Sequence, residues 1–224
     1  MPIKLSEIIP LGRRADEYIG MFGLSEQDLR RKILDCGGGP SSFNAEMNAL
    51  GSHVASVDPL YEFSKEEIQA KIDATFDDIM AQAEKNRESY VWEAIKSPAE
   101  LRKRRKSAME IFLEDYERGR REKRYIPGEL PHLSFKDKEF DIALSSHFLL
   151  LFSHILSLDF HIEAIFEMLR VASEVRIFPL QDFNVAKSPY VDAIIEKFSD
   201  KHDVDIVRVG YEFQKGSNEY LRIR

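Results

Sequence analysis

The residues best suited to chemistry stand between Lys32 and Asp58, in the run KILDCGGGPSSFNAEMNALGSHVASVD. A short apolar pair, Ile33 and Leu34, ends in Asp35. Cys36, Gly37, Gly38, Gly39 and Pro40 follow, then two serines. A helical stretch from Phe43 to Leu50 is closed by Gly51, and a second strand ends at Asp58. Strand, glycine turn, helix, strand and terminal acid form a nucleotide-binding βαβ unit. Glycines let the backbone approach a ligand because no Cβ intervenes. The helix after them offers free N–H groups. An acid at the position of Asp58 can accept both hydroxyls of a ribose.

These residues need a framework. An N-terminal helix is expected over Arg13–Leu29, with Tyr18, Met21 and Phe22 on one face and Ser25 and Asp28 as a capping box. Strands are expected at about Lys32–Asp35 and His53–Val57. Ser64-Lys65-Glu66-Glu67 then opens a long helix through Ile68, Ile72, Phe76, Ile79 and Met80. Ser97, Pro98 and Glu100 start another, through Leu101, Met109, Phe112, Leu113 and Tyr116. Roughly sixty residues thus separate strand two from the next, where a plain crossover needs about a dozen. This is a helical insertion, over residues 62–123, that would cap the site. A weak strand at Tyr125-Ile126 and a buried one at Phe140–Leu144 resume the alternation. A helix over His161–Val171, a strand over Glu174–Leu180, a helix from Ser188-Pro189 to Phe198, and strands at Val204–Val209 and Glu219–Ile223 complete it. No long Gly, Ser or Pro linker divides the chain. The expectation is one domain over 1–224, with an N-terminal helical segment at 1–31.

Two readings of the glycine run are open on spacing alone. A dinucleotide site asks for G-x-G-x-x-G. Gly37 and Gly39 match, but Ser42 stands where the third glycine would allow close helix–strand packing beneath a pyrophosphate. This weighs against a nicotinamide cofactor. Further along, Gly128 to Phe148 reads GELPHLSFKDKEFDIALSSHF, an acid followed by an apolar residue and then a polar end to strand four. With the glycine loop and Asp58, this order resembles the class I S-adenosylmethionine-dependent methyltransferases, over about Ile33 to Phe178 plus the terminal hairpin. Ser41 replaces the last glycine of the family's usual loop.

The resemblance implies an α/β fold: a doubly wound, seven-stranded sheet of six parallel strands and an antiparallel seventh, with the long insertion after strand two. It implies S-adenosylmethionine as cofactor. Asp35, Cys36 and Gly37, Gly38 and Gly39 would line its methionine and ribose side. Asp58 would hold the ribose, with Pro59 and Leu60 flanking the adenine. Glu129 would approach the adenine amino group, the Leu130 backbone its ring, and Ser145 the sulfonium end. An N-terminal arginine, Arg13 or Arg14, could meet the cofactor carboxylate.

Methyl transfer needs proximity, in-line geometry and at times a base. His147, just past strand four, is the candidate base, against the plainer reading of a histidine bonded to nearby backbone. His147, His154 and His161 are seven apart. That is about 10 Å per step on a helix, too far to share a metal. Asp182 and Asn184 are turn residues, and no metal site is expected. Cys36 is expected to be a small buried residue rather than a nucleophile.

Composition bounds the partners. The 224 residues are 43% hydrophobic and 32% charged, as in globular proteins. A formal charge of −7 argues against a nucleic-acid binder. The dense basic run Arg102–Lys106 lacks interleaved aromatics and is expected to be a solvated helix face, with an RNA substrate as the weaker reading. A single cysteine excludes an internal disulfide. No apolar signal core opens the chain, and Phe148–Phe152 is far too short to span a bilayer, so a cytoplasmic protein with no membrane partner is expected. The leading expectation is a methyltransferase acting on a small molecule. The alternatives are an NAD(P)-dependent oxidoreductase and a non-catalytic methyltransferase-like scaffold. Oligomeric state is not legible.

Overall fold

The computed structural model describes residues 11–224. Seven strands form a single sheet: β1 (Lys32–Cys36), β2 (His53–Val57), β3 (Tyr125–Ile126), β4 (Phe140–Ser146), β5 (Ala172–Phe178), β6 (Val204–Arg208) and β7 (Glu219–Ile223). Their order is β3-β2-β1-β4-β5-β7-β6. The pairs β1–β2, β1–β4, β2–β3 and β4–β5 are parallel, and β7 runs antiparallel to both β5 and β6. This is a doubly wound α/β sheet, with six parallel strands and one reversed. The direction of travel across the sheet reverses between β1 and β4. In open α/β sheets the ends of the strands flanking that point form the ligand crevice.

Alternation along the strands fills both faces. Leu34, Cys36 and Ala143 point to one side, where α5 (Leu158–Val171) and α6 (Val191–Ser199) bring Ala164, Ile165, Met168, Ile194 and Phe198. Ile33, Ile142 and Leu144 point to the other. There α1 (Ala15–Phe22) and α2 (Phe43–Ala49) bring Tyr18, Met21, Phe22, Phe43 and Met47.

The first helix is shorter than its apolar pattern suggested. Gly23 takes a left-handed conformation (φ +56°) and ends α1 at Phe22. The Ser25–Asp28 box forms, but it opens a short 3-10 turn at Asp28–Arg30. Strand β4 runs two residues further than expected, so Ser145 lies inside the strand, opposite Ile177.

The insertion is a helical hairpin, α3 (Lys65–Lys85) and α4 (Pro98–Arg121). Ser64 and Glu67 exchange the two bonds of a capping box, and Ser97 caps α4 ahead of Pro98. One apolar cluster joins the hairpin to the β3 edge, through Ile68, Ile72, Met109, Phe112 and Tyr116 around Tyr61 and Tyr125. The α3–α4 connection also reaches across the molecule. The Val91 amide donates to the Phe213 carbonyl (2.7 Å) and the Lys215 amide to that of Ser89 (2.9 Å). Tyr90 stacks on Phe213 with ring centroids 4.8 Å apart. The insertion is thereby strapped to the loop between β6 and β7.

Candidate functional site

The glycine loop turns sharply after β1, with Gly37 at φ +74° and Gly39 at φ +52°. At Gly38 the reason for glycine is steric. A Cβ there would lie 2.5 Å from Asp35 Oδ2 and 2.9 Å from the Tyr61 hydroxyl. At Gly39 a Cβ would meet nothing within 4 Å, so this edge of the loop is open. Gly37 faces the Phe148 ring, which a Cβ would approach to 3.2 Å.

Beneath the loop sits Asp35, 1% exposed. The hydroxyls of Tyr18 and Ser56 each donate to its carboxylate at 3.3 Å. Burial, then the nearby charge of Asp58, pushes its pKa up to about 7. Asp58, at the end of β2, caps the turn Pro59–Glu62. It accepts the Leu60 amide at Oδ1 (2.8 Å) and the Gly39 amide at Oδ2 (2.9 Å). Burial raises its pKa while these two N–H groups oppose the rise. Asp58 thus ties the end of β2 to the glycine loop. The Tyr61 hydroxyl adds a bond to the Gly39 carbonyl (2.8 Å).

His147 stands just past β4, at φ +53°, uncommon for a residue with a side chain. Its amide donates to the Phe178 carbonyl (2.7 Å), and Nδ1 lies 2.9 Å from the Ser146 hydroxyl. Burial, with the charges of Arg13 and Arg105, holds the imidazole well below the ordinary histidine range. The imidazole is therefore uncharged at neutral pH, and the same lowering makes it a weaker base than an ordinary histidine.

The other expected residues separate into two groups. Cys36 is fully buried and its thiol is pushed well up, so it is no nucleophile at neutral pH. Ser145 is fully buried, and its hydroxyl has no partner among the described residues. Leu60 is half-buried and Leu130 buried, while Pro59 and Glu129 are exposed. The basic run is only in part a solvated face. Arg102 pairs with Asp77 and Arg104 with Asp16, each at 2.6 Å, but Arg105 is 2% exposed and bonded to Glu17 on α1. Asp182 accepts the Asn184 amide as a turn residue. Among the described residues no group of three or more His, Cys, Asp or Glu is arranged to hold a metal.

Sequence reasoning did not single out Ser56, Tyr61, Ser146 or Phe148. Ser56, Tyr61 and Phe148 reach the loop from distant elements, which no local spacing encodes, while Ser146 is the immediate neighbour of His147. Two cavities lie away from the loop. One of about 410 Å³ separates α3 from α4 beside Ile72, Phe76 and Met109. One of about 190 Å³ lies by Leu180, Gln181 and Gly216.

No protein-family model matches the chain. An uncharacterized protein of Methanocaldococcus jannaschii, MJ0045, is 39% identical over 227 residues, spanning 99% of this chain and 98% of that one. The chain belongs to the MJ0045 family. Among solved structures, the PH0226 protein of Pyrococcus horikoshii aligns with a TM-score of 0.48 at 16% identity, over 93% of this chain and 90% of that one. An S-adenosylmethionine-dependent methyltransferase from Aquifex aeolicus gives 0.45 at 14%, over 99% and 95%. At such distances these two likenesses carry no weight for the chemistry of this MJ0045-family member. No helix among the described residues is long and apolar enough to cross a membrane.

Proposed function

We propose that this protein is an S-adenosylmethionine-dependent methyltransferase acting on a small molecule. The observation that carries the reading is the glycine loop held between two acids at the switch point of the sheet. Gly38 is crowded below by Asp35, Gly39 is open, and Asp58 is bound to the loop's own backbone. That cradle fits a nucleoside bearing a cationic amino-acid tail. Asp58 and Leu60 would meet its ribose and adenine, and Asp35 with the loop its methionine end. Ser145, Leu130 and Glu129 keep the roles that the family resemblance implies. Once bound, the cofactor supplies an activated methyl group on a positive sulfur.

The chain's own residues then have limited work. The loop and Asp58 orient, the strapped insertion over residues 62–123 excludes water, and neutral His147 takes a proton from the acceptor. A nicotinamide reading is weakened by Ser42, whose side chain is directed to Glu46 and the Arg13 carbonyl. A scaffold reading would be favoured by a broad apolar patch on the insertion. Among the exposed large apolar side chains, Phe63 is the one that lies there.

The deciding experiment is calorimetric titration with S-adenosylhomocysteine, NAD and NADP, with Asp58→Ala as the control. Micromolar binding of the homocysteine compound, weakened at least tenfold in the variant, is the expected result. Binding of a dinucleotide instead would overturn the reading, and silence from all three would favour the scaffold.

A further inference from the structure

Asp35 lies beneath the glycine loop with no cationic partner among the described residues. The titratable groups that face it are Asp58 at the end of β2, Tyr18 on α1, Tyr61 in the turn after β2, and its chain neighbour Cys36. Burial and the charge of Asp58 favour the protonated acid, so the anion depends on the hydroxyls that donate to it. Those belong to Tyr18 and Ser56.

A hydroxyl carries one proton and can also accept. Tyr18 has a choice, because its oxygen lies 3.3 Å from Asp35 Oδ1 and 3.4 Å from the Ser41 hydroxyl. Ser56 has none. Its oxygen accepts an N–H of the Asn44 amide (3.1 Å), and its own proton goes to Asp35 Oδ2 (3.3 Å).

The Asn44 amide, on α2, is fixed in turn. Its Oδ1 accepts the Arg124 guanidinium (2.7 Å) and the Asn48 amide (3.1 Å), and its second N–H goes to the Arg124 carbonyl (2.9 Å). Turned over, the amide would set its N–H groups against a guanidinium, which has donors only. Arg124 is anchored to Asp115 of α4 by two bonds, of 2.6 and 2.9 Å. Asp35, Ser56 and Asn44 are each 1% exposed, so bulk solvent does not compete. The chain of bonds therefore has one polarity, from Arg124 through Asn44 and Ser56 to the acid under the loop.

We propose that Asn44 is a positioning residue of the cofactor site: by fixing Ser56 as a donor, it holds Asp35 as the anion that serves the cofactor's cationic amino-acid tail. This rests on the methyltransferase reading. A hydrogen bond to a charged acceptor moves a buried acid by about one pH unit or more. That is enough to decide whether Asp35 is charged at neutral pH, because its pKa stands at about 7.

The test is a cycle of Ser56→Ala and Asn44→Asp on the full chain. The Asp35 carboxyl is followed by NMR of aspartate-labelled protein, its signal assigned with Asp35→Asn, and affinity for S-adenosylhomocysteine is measured over the same pH range. Asn44→Asp removes both amide N–H groups, so the new carboxylate takes the Ser56 proton away from Asp35. The charge it adds acts with or without Ser56 and cancels from the comparison. Ser56→Ala should raise the Asp35 midpoint by about one unit or more in the wild type and by under about 0.3 unit in Asn44→Asp. The pH below which S-adenosylhomocysteine binding weakens should rise with it. Equal Ser56→Ala shifts in the two backgrounds would overturn the proposal, and so would binding that does not follow the carboxyl. Should Asn44→Asp not fold, Asn44→Ala takes its place. Ser56 then loses its fixed direction, and the Ser56→Ala shift should fall to less than half. If S-adenosylhomocysteine does not bind the wild type at any pH, the methyltransferase reading fails by itself. The carboxyl midpoints of the free protein then still decide whether Asn44 governs Asp35.

Discussion

Asp35 should destabilise the ligand-free protein at neutral and higher pH, and replacing it should show this. The carboxyl has a pKa of about 7 in the fold against 3.8 when unperturbed. A raised acid binds its proton more tightly in the folded state. Between pH 4 and 7 the native protein therefore holds the extra proton, and stability falls as pH rises through this window. The shift of about 3 units corresponds to at most about 4 kcal/mol, fully expressed above pH 7. Asp35→Asn removes the charge and keeps an oxygen that can accept from Tyr18 and Ser56. Urea unfolding of the free protein should show the variant stabilised by about 2–4 kcal/mol at pH 8 and by under about 1 kcal/mol at pH 4. Affinity for S-adenosylhomocysteine should fall at the same time, because a cationic amino-acid tail needs the ionised acid. In wild type that affinity should weaken as pH drops below 7. An equal effect of the substitution at both pH values, or destabilisation at pH 8, would refute the account of a charge held against its preference for a ligand.

Other outcomes follow from the same geometry. Gly38→Ala forces a Cβ against Asp35 and Tyr61 and should cost about 1–3 kcal/mol by urea unfolding. Gly39→Ala meets open space but sits at φ +52°, so it should cost about 1 kcal/mol and weaken nucleoside binding. Removing one partner of the buried pair, as in Arg105→Met or Glu17→Gln, should cost about 3–5 kcal/mol, and the double variant less than the sum. Glu17 has its pKa lowered to about 2, so its stabilisation is present above pH 4.5 and should be lost as pH falls toward 2, measured as a fall in Tm.

The sheet was legible because its signals are local. Apolar runs bounded by glycine and acid gave six strands to within a residue or two, and β7 by its turn at Gly216-Ser217-Asn218. The capping boxes at Ser64 and Ser97 marked both insertion helices, since a cap needs residues only three apart. The glycine loop and Asp58 belong to the same class, a motif contained within 27 residues. Errors arose where distant partners decide. The apolar face of α1 seemed to continue to Leu29, but Gly23 turned the chain. The basic run on α4 had the composition of a solvated face. Arg105 is nonetheless internal, because Glu17 lies 88 residues away on α1.

That misreading bears on what the insertion does. A helix that merely covered a site could rest on apolar contacts, which tolerate sliding. Here α4 is fixed to α1 by a two-point charged bond at its first third and to the Pro59–Glu62 turn by Tyr116, whose hydroxyl meets the Tyr61 and Phe63 carbonyls. Such bonds have one register. They place α4 against α1 at a fixed height, and so set the height of the insertion beside the glycine loop. Arg105→Met leaves Glu17 buried without its cation, so it should destabilise the protein more than Arg105→Met combined with Glu17→Gln, read by urea unfolding at pH 8. Equal destabilisation of the two variants would show that the pair does not fix this register.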